Sequence, residues 1–294
     1  MFHRQKVLLA LIEEFGGSLK STDLQKYLFL YTTICEKDKS YEFVPYKFGC
    51  CSLQSYKDKN KLMELGYLNE ADDWVLKNKD KSFKAQLKVD TQNKMQLFRQ
   101  KYEKLKGRKL IKYVYQNYPY YAVNSIIADE ILDEDDLVKV KTCLKKRRKN
   151  VFATIGYEGI TLEAYVNKLI KNDIRVLVDV RKNPLSRKYG FSKNTLKDVL
   201  YKVGIGYEHL PDLGIISSKR KKLVTQKDYE KLFNEYEKTV LGRNEMELDK
   251  LYGIYLDKKR IAVTCFEECH TMCHRGRVAT HLKKINSEME ILHL

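Results

Sequence analysis

The chain has 294 residues, of which 43% are hydrophobic and 32% charged, a balance that excludes a disordered or collagen-like protein and leaves room for two domains. Lysine and arginine number 56 against 39 acidic residues, and the resulting charge of +17 predicts a nucleic acid partner. DNA is expected rather than RNA, although the charge itself attracts both. The alternative is that the excess of lysine only reflects a lysine- and tyrosine-rich proteome from an AT-rich genome.

The protein is expected in the cytoplasm. No apolar run has membrane-spanning length, and the first apolar stretch is followed directly by acidic residues, which is typical of an amphipathic helix rather than a signal peptide. Seven cysteines, an odd number, form no obvious disulfide framework, as expected in a reducing compartment.

Residues 1–76 are predicted to form a mainly helical, winged-helix-like module. Apolar residues recur at intervals of three and four over residues 1–20, and a second helix begins at Ser21 or Thr22. A third helix runs from Ser52 to about Leu65, and the segment Trp74–Leu76 would belong to the hairpin of a winged helix.

The stretches DLQKYLFLY and FVPYKFGCCSLQSYKDKNKLMELGYL resemble the Panacea (SocA-like) phage-associated antitoxin domain. The resemblance covers about the first 75 residues, and Cys50 stands where that family commonly has proline. It implies contact with protein or nucleic acid and does not imply catalysis. The alternative for the aromatic residues of this stretch is core packing.

Residues 77–150 are predicted to be a charged helical connector. The acidic cluster Asp133–Asp136 indicates a solvated helix N-terminus rather than a metal site, because consecutive side chains point around a helix instead of converging. The basic run Lys145–Lys149 is predicted to be a linker or a phosphate-contacting edge at the domain boundary.

Residues 151–294 are predicted to form an α/β domain with a parallel sheet. Strands at 151–155, 174–180, 207–210 and 260–266 alternate with helices at 161–171, 192–203, 226–240 and 274–286. Polar segments follow all four strands, and in a parallel sheet these segments meet at one edge, where ligands bind. The sequence therefore places an active site at that edge.

Three stretches of this region, GYEGITLEAYVNKLIKNDIRVLVDVRKNPLSRKYGF, YEHLPDLG and VTCFEECHTMCHR, resemble the DUF488 family. The resemblance spans roughly 151–285 and implies a compact α/β domain with a role in nucleic-acid processing or phage defence, but no firmly known reaction. Where many relatives have His-Ser after the first glycine, this chain has Tyr157-Glu158. The positions that match the family's phrases are Gly156, Asp179, Arg181, Pro184, Ser186, Arg187, Tyr207, His209, Gly214, Cys265, Glu267, Cys273, His274 and Arg275.

Asp179 and Glu267 end two predicted strands and are expected to act as the carboxylates of acid/base catalysis, with His274 or His209 assisting. The alternatives are that Asp179 forms a buried salt bridge with an arginine and that His209 is a core histidine. A triad of Ser186, His209 and Asp179 is disfavoured because no G-x-S-x-G elbow is present.

The predicted substrate-binding residues share a place in the polar segments. Arginines there bind phosphate bidentately, and tyrosines stack on a base or pack in the core. The set comprises Gly156, Tyr157, Arg181, Ser186, Arg187, Tyr207, Cys273 and Arg275.

The last polar segment and the helix after it are rich in metal-ligand residue types, namely Cys265, Cys269, His270, Cys273, His274 and His281. The spacings give no two clean C-x-x-C pairs, so no metal ligand is assigned. Structural or catalytic zinc, a nucleophilic Cys273 and an anion bound at the helix start stay open as alternatives for this segment. The chain has neither a Walker A loop nor a G-x-G-x-x-G turn, and its cofactor stays undetermined.

The predicted function is nucleic-acid processing by hydrolysis or by base or glycosidic cleavage. The alternative is a non-catalytic DNA-binding sensor or antitoxin-like regulator that holds a nucleotide or a modified base. The first module could additionally contact a protein partner.

Overall fold

The computed structural model describes residues 1–78, 82–144, 150–220, 223 and 225–294. It divides the chain into two compact units, Met1–Leu144 and Lys145–Leu294. The basic run predicted as a linker, Lys145–Lys149, lies outside the described residues. No helix in the described part of the chain is long and apolar enough to cross a membrane.

The first unit is mainly helical, as predicted. Its helices are α1 (His3–Glu14), α2 (Ser21–Ile34), α3 (Leu53–Glu64), α4 (Val89–Tyr102), α5 (Arg108–Asn117), α6 (Ala128–Ile131) and α7 (Glu134–Cys143). Its short strands are β1 (Ser18–Leu19), β2 (Val44–Tyr46), β3 (Gly49–Cys51) and β4 (Trp74–Val75).

The strand pairing of this unit supplies small ribbons beside the helices. β4 pairs antiparallel with β1, which lies between α1 and α2, and β2 pairs antiparallel with β3. Leu68 and Leu76 form an isolated bridge next to the first ribbon. The acidic cluster begins α7, where the Asp133 carboxylate accepts a hydrogen bond from the backbone amide of Asp136, the cap expected of a helix N-terminus.

The second unit is an α/β domain built on five parallel strands, which confirms the predicted fold class. The strands are β5 (Val151–Gly156), β6 (Val176–Asp179), β7 (Gly206–His209), β8 (Arg260–Cys265) and β9 (Ile291–His293). The helices are α8 (Leu162–Lys171), α9 (Lys193–Lys202), α10 (Gln226–Thr239), α11 (Glu245–Lys258) and α12 (His274–Ile285). The sequence had not predicted α11 or β9.

The strand order β7-β6-β8-β5-β9 fixes where a ligand is expected. The chain leaves β6 for β7 on one side and leaves β8 for β9 on the other, although β6 and β8 are neighbours. Loops that diverge from adjacent parallel strands open a crevice at their carboxyl ends, and ligands of open α/β sheets bind there. All residues of β5, β6 and β8 are buried, so these three strands form a rigid base for that crevice.

Candidate functional site

A pocket of about 300 Å³ lies at this crevice, between the loops that follow β6 and β8. Five predicted site residues line it: Tyr157, Arg181, Ser186, Arg187 and His274. The remaining lining residues were not in the predicted site, namely Lys182, Asn183, Leu185, Ile215, Cys265 and Phe266. Six of the eleven lining residues belong to the loop that follows β6, so position after that strand is the signal that identifies Lys182, Asn183 and Leu185.

Asp179 ends β6 and is fully buried. Its carboxylate accepts hydrogen bonds from the Arg181 side chain through Nε at 2.8 and 3.1 Å and Nη2 at 2.5 Å. It accepts two more, from the Arg181 backbone amide at 3.0 Å and the Tyr207 hydroxyl at 2.7 Å. Burial and the charge of Asp179 raise the pKa of Tyr207, which keeps the hydroxyl a donor. The buried salt bridge considered for Asp179 is therefore present, with Arg181 as its partner.

Arg181 connects this ion pair to the pocket wall. One nitrogen, Nη1, donates to the Tyr157 hydroxyl at 2.8 Å and to the Phe191 carbonyl at 2.9 Å. The ring of Phe191 stacks on that of Tyr157, with centroids 4.3 Å apart and planes 10° apart. Because Phe191 covers a face of Tyr157, that face is closed to a stacking base. In the loop after β8, Phe266 is 41% exposed and lines the pocket.

His274, the first residue of α12, forms the buried floor of the pocket with Cys265. Its Nε2 lies 2.9 Å from the Val180 carbonyl oxygen, and its Nδ1 lies 3.6 Å from the Cys265 sulfur and 3.9 Å from the Cys273 sulfur. A carbonyl oxygen only accepts hydrogen bonds, so Nε2 carries the proton and Nδ1 of the neutral ring is an acceptor. Burial raises the pKa of the Cys273 thiol well above its usual value, which opposes the formation of a free thiolate nucleophile at neutral pH.

Arg275 is held away from the pocket. Its guanidinium donates to the backbone carbonyls of Glu267 and Glu268 and is nearly fully buried, and neither Arg275 nor Glu267 lines the pocket. Gly156 allows this arrangement, because a Cβ there would lie 1.9 Å from the Glu267 carbonyl oxygen. Of the three arginines predicted to bind phosphate, the pocket thus contains Arg181 and Arg187.

His209 and Tyr207, both in β7, contact the end of β6 and the loop that follows it. His209 Nε2 lies 2.9 Å from the Arg181 carbonyl oxygen, and its Nδ1 lies 3.1 Å from Lys193 Nζ. Ser186 accepts a hydrogen bond from the Lys188 amide at 3.1 Å, a contact within the loop. The structure therefore does not assemble Ser186, His209 and Asp179 as a hydrogen-bonded relay, since each is engaged with other groups.

The open rim of the pocket is cationic. Arg187 and Lys182 are exposed there, and Lys182 pairs with Asp212 at 2.7 Å, also on the surface. Arg181, below them, is already satisfied by Asp179. Arg187 is consequently the lining cation for which the structure gives no carboxylate partner among the described residues.

Residues 161–282 match the family described as "Domain of unknown function DUF488". This match confirms the DUF488 resemblance for that segment, which runs from the start of α8 into α12 and includes the loops after β6, β7 and β8. No curated protein and no solved structure gives a significant match to the chain. The Panacea-like resemblance of the first 75 residues stays a prediction.

Proposed function

We propose that this protein is a cytoplasmic enzyme of nucleic-acid processing or phage defence, whose DUF488 domain takes a phosphate-bearing nucleotide unit into the pocket between β6 and β8. One observation carries the proposal: an exposed arginine, Arg187, an exposed lysine, Lys182, and an exposed ring, Phe266, surround one opening at the switch point of a parallel sheet. Cations suit phosphate, and an accessible ring suits a base.

The reaction in this proposal is hydrolytic, and it takes place over the floor of the pocket. Cys265 and His274 are the lining groups there, and both are held by buried strand and helix ends. Asp179 serves as a positioning residue in this scheme, because its carboxylate fixes Arg181 and through it Tyr157. Glu267 and His209 retain their predicted catalytic roles only if substrate binding brings them towards the pocket.

A non-catalytic binding module is the second candidate. It is favoured by the hydrogen bonds that already engage Asp179, Arg181 and His274 with other protein groups. Such a module would hold a nucleotide or modified base in the same pocket and act as a sensor or an antitoxin-like regulator, with the Panacea-like first unit contacting DNA or a protein.

The binding half of the proposal is tested with two arginine substitutions that change the net charge equally. Arg187→Ala removes the cation at the pocket rim. Arg175→Ala removes an exposed arginine that directly precedes β6 and so lies at the amino-terminal end of the strand, away from the pocket at the carboxyl ends. We expect Arg187→Ala to weaken binding of a labelled oligonucleotide about fivefold to tenfold and to reduce the slope of log affinity against log salt concentration by about one. Arg175→Ala should leave the affinity and this slope nearly unchanged. Fluorescence anisotropy over a series of salt concentrations measures both quantities. Equal losses in the two variants would mean that the general positive field, and not the pocket, binds nucleic acid.

The catalytic half is tested by product analysis. Single-stranded and duplex DNA and RNA are incubated with the full chain, and mass spectrometry then detects released bases, nucleotides or shortened strands. Product formation that the Arg187→Ala variant loses supports the enzyme. Saturable, salt-dependent binding without any product after long incubation supports the binding module instead.

A further inference from the structure

We propose that Cys265, Cys273 and His274 bind a zinc-class transition metal ion, with one coordination position facing the pocket. The three ligand atoms, two sulfurs and one imidazole nitrogen, lie within 4.8 Å of one another, and all three residues are buried. Thiolate and imidazole are the ligands that zinc prefers in proteins. The sequence identifies these residues as metal-ligand types, but its spacings do not select the three that form the cluster.

The distances between the ligand atoms suit a tetrahedral ion. With zinc–sulfur bonds of about 2.3 Å and zinc–nitrogen bonds of about 2.0–2.1 Å at a tetrahedral angle, a sulfur and a nitrogen ligand lie about 3.6 Å apart. Nδ1 of His274 is 3.6 Å from the Cys265 sulfur and 3.9 Å from the Cys273 sulfur. The side chains therefore need only small adjustments to hold an ion between them.

The imidazole of His274 is oriented as a metal ligand would be. Nε2 donates to the Val180 carbonyl oxygen at 2.9 Å, which fixes the tautomer and turns the lone pair of Nδ1 towards the two sulfurs. Metal-binding histidines typically donate their second ring N–H to a carbonyl or carboxylate in this way. This hydrogen bond is independent of the cysteines and points to the same ion.

The backbone keeps the ligands in place. Cys265 ends the central strand β8, Cys273 directly precedes α12 and His274 begins that helix. The loop between them is fastened by Arg275, which donates to the carbonyls of Glu267 and Glu268. A bound divalent ion also supplies the positive charge that deprotonates buried thiols.

The pocket side of the cluster leaves room for a further ligand. Cys265 and His274 line the pocket, whereas Cys273 does not. Three protein ligands and one open position are the arrangement of catalytic zinc sites, in which a bound water becomes a nucleophile near neutral pH. The proposal that these residues bind a metal ion is independent of the proposed function. The hydrolytic role of a metal-bound water rests on that proposed function.

The test uses the full chain purified in a phosphine reductant, stripped with a chelator and then loaded with Zn²⁺ or Co²⁺ alone. We expect about one equivalent of metal by elemental analysis and, with Co²⁺, intense visible bands of tetrahedral geometry together with a thiolate charge-transfer band. Failure of the wild-type chain to retain stoichiometric zinc or to develop those bands would overturn the proposal, whatever the variants do.

Two cysteine variants locate the ion. Cys273→Ser removes a ligand, while Cys269→Ser alters an exposed cysteine of the same loop that is outside the cluster. We expect Cys269→Ser to retain the full equivalent and Cys273→Ser to retain less than about a tenth of it. If Cys273→Ser does not fold, protection of individual cysteines replaces it: the wild type is alkylated under mild denaturation with and without the ion, and peptide mass spectrometry should show that the ion slows modification of Cys265 and Cys273 but not of Cys269. Equal metal retention by the two variants, or equal alkylation of Cys265 and Cys273 with and without the ion, would place the metal elsewhere.

These outcomes separate the two proposals. Metal retention with no difference in oligonucleotide binding between Arg187→Ala and Arg175→Ala leaves the metal site standing and removes the proposed nucleic-acid pocket. If only Arg187→Ala loses oligonucleotide binding and the wild-type chain retains no metal, the nucleic-acid pocket stands and the metal site is removed.

Discussion

The carboxylate of Asp179 accepts three hydrogen bonds from the side chain of Arg181, which lies only two residues further along the chain. The pair is buried, with Asp179 fully inaccessible and Arg181 5% exposed. Because Arg181 also donates to the Tyr157 hydroxyl, the pair joins the end of β6 to the aromatic wall of the pocket. Loss of turnover on substitution of Asp179 would therefore not by itself identify a catalytic base.

Asp179→Asn is predicted to destabilise the second unit by about 3–5 kcal/mol, because it leaves the charge of a buried arginine without its partner. Urea unfolding followed by far-UV circular dichroism measures this loss. Trp74, the only tryptophan, is buried in the first unit, so its fluorescence follows the unfolding of that unit separately.

Tyr207→Phe is the graded control for this prediction. It removes a single hydrogen bond to the same carboxylate and should cost about 1.5–3 kcal/mol. An Asp179→Asn protein as stable as the wild type would contradict the assignment of the pair as the structural link of the pocket.

Much of the sheet was predictable from the sequence, because β5, β6 and β8 are buried on both faces and appear as continuous apolar runs. β9 was missed for the opposite reason: it has three residues, is partly exposed and lies at the sheet edge. α11 was missed although its signal was present, since Leu248, Leu251 and Tyr255 recur at intervals of three and four and are all buried.

The site was predictable as a location and less so as a set of contacts. Parallel strands bring their following loops to one edge, which is why the residues after β6 and β8 meet. Which arginine pairs with Asp179 depends on the turn after β6, and the tautomer of His274 depends on a backbone carbonyl, that of Val180. Neither geometry has a signature in residue types.

Asp212→Asn is predicted to strengthen anion binding at the pocket rim about twofold to fivefold, because it frees the ammonium of Lys182. The hydrogen bond from Lys182, followed by its charge, lowers the pKa of Asp212. The carboxylate is therefore ionised throughout about pH 5 to 8, and the increase in anion affinity of Asp212→Asn over the wild type should be constant over that range. The ion pair of Asp212 with Lys182 makes a small contribution to the free energy of unfolding. This contribution is fully present above the ordinary pKa of an aspartate and is lost as the pH falls through the lowered pKa of Asp212. Anisotropy titrations at several pH values measure the affinity; a weaker Asp212→Asn protein would contradict the role given to Lys182.

Gly156→Ala is predicted to destabilise the second unit by about 1–3 kcal/mol, since the added Cβ would meet the Glu267 carbonyl oxygen at 1.9 Å and force the loop after β8 to move. Gly253→Ala is the matched control, because that glycine lies within α11 with no atom near its missing Cβ. It should stabilise the unit by about 0.5–1 kcal/mol. Circular dichroism melting curves of the two variants would contradict the prediction if they shifted in the same direction.

Cys269 is predicted to be the fastest cysteine of the described chain to alkylate at neutral pH. Hydrogen bonds from Thr271, first from its side chain and then from its backbone, lower the pKa of this exposed thiol, so a larger fraction is thiolate at pH 7. Burial instead raises the pKa of Cys143, the other exposed cysteine, and that of Cys50 to about 11. Peptide mass spectrometry after brief iodoacetamide treatment gives the order of modification, which should be Cys269, then Cys143, with Cys50 protected until the first unit unfolds. Thr271→Val should slow the alkylation of Cys269 because it removes the side-chain donor, while a rate equal to that of the wild type would show that exposure alone governs the reactivity of this thiol.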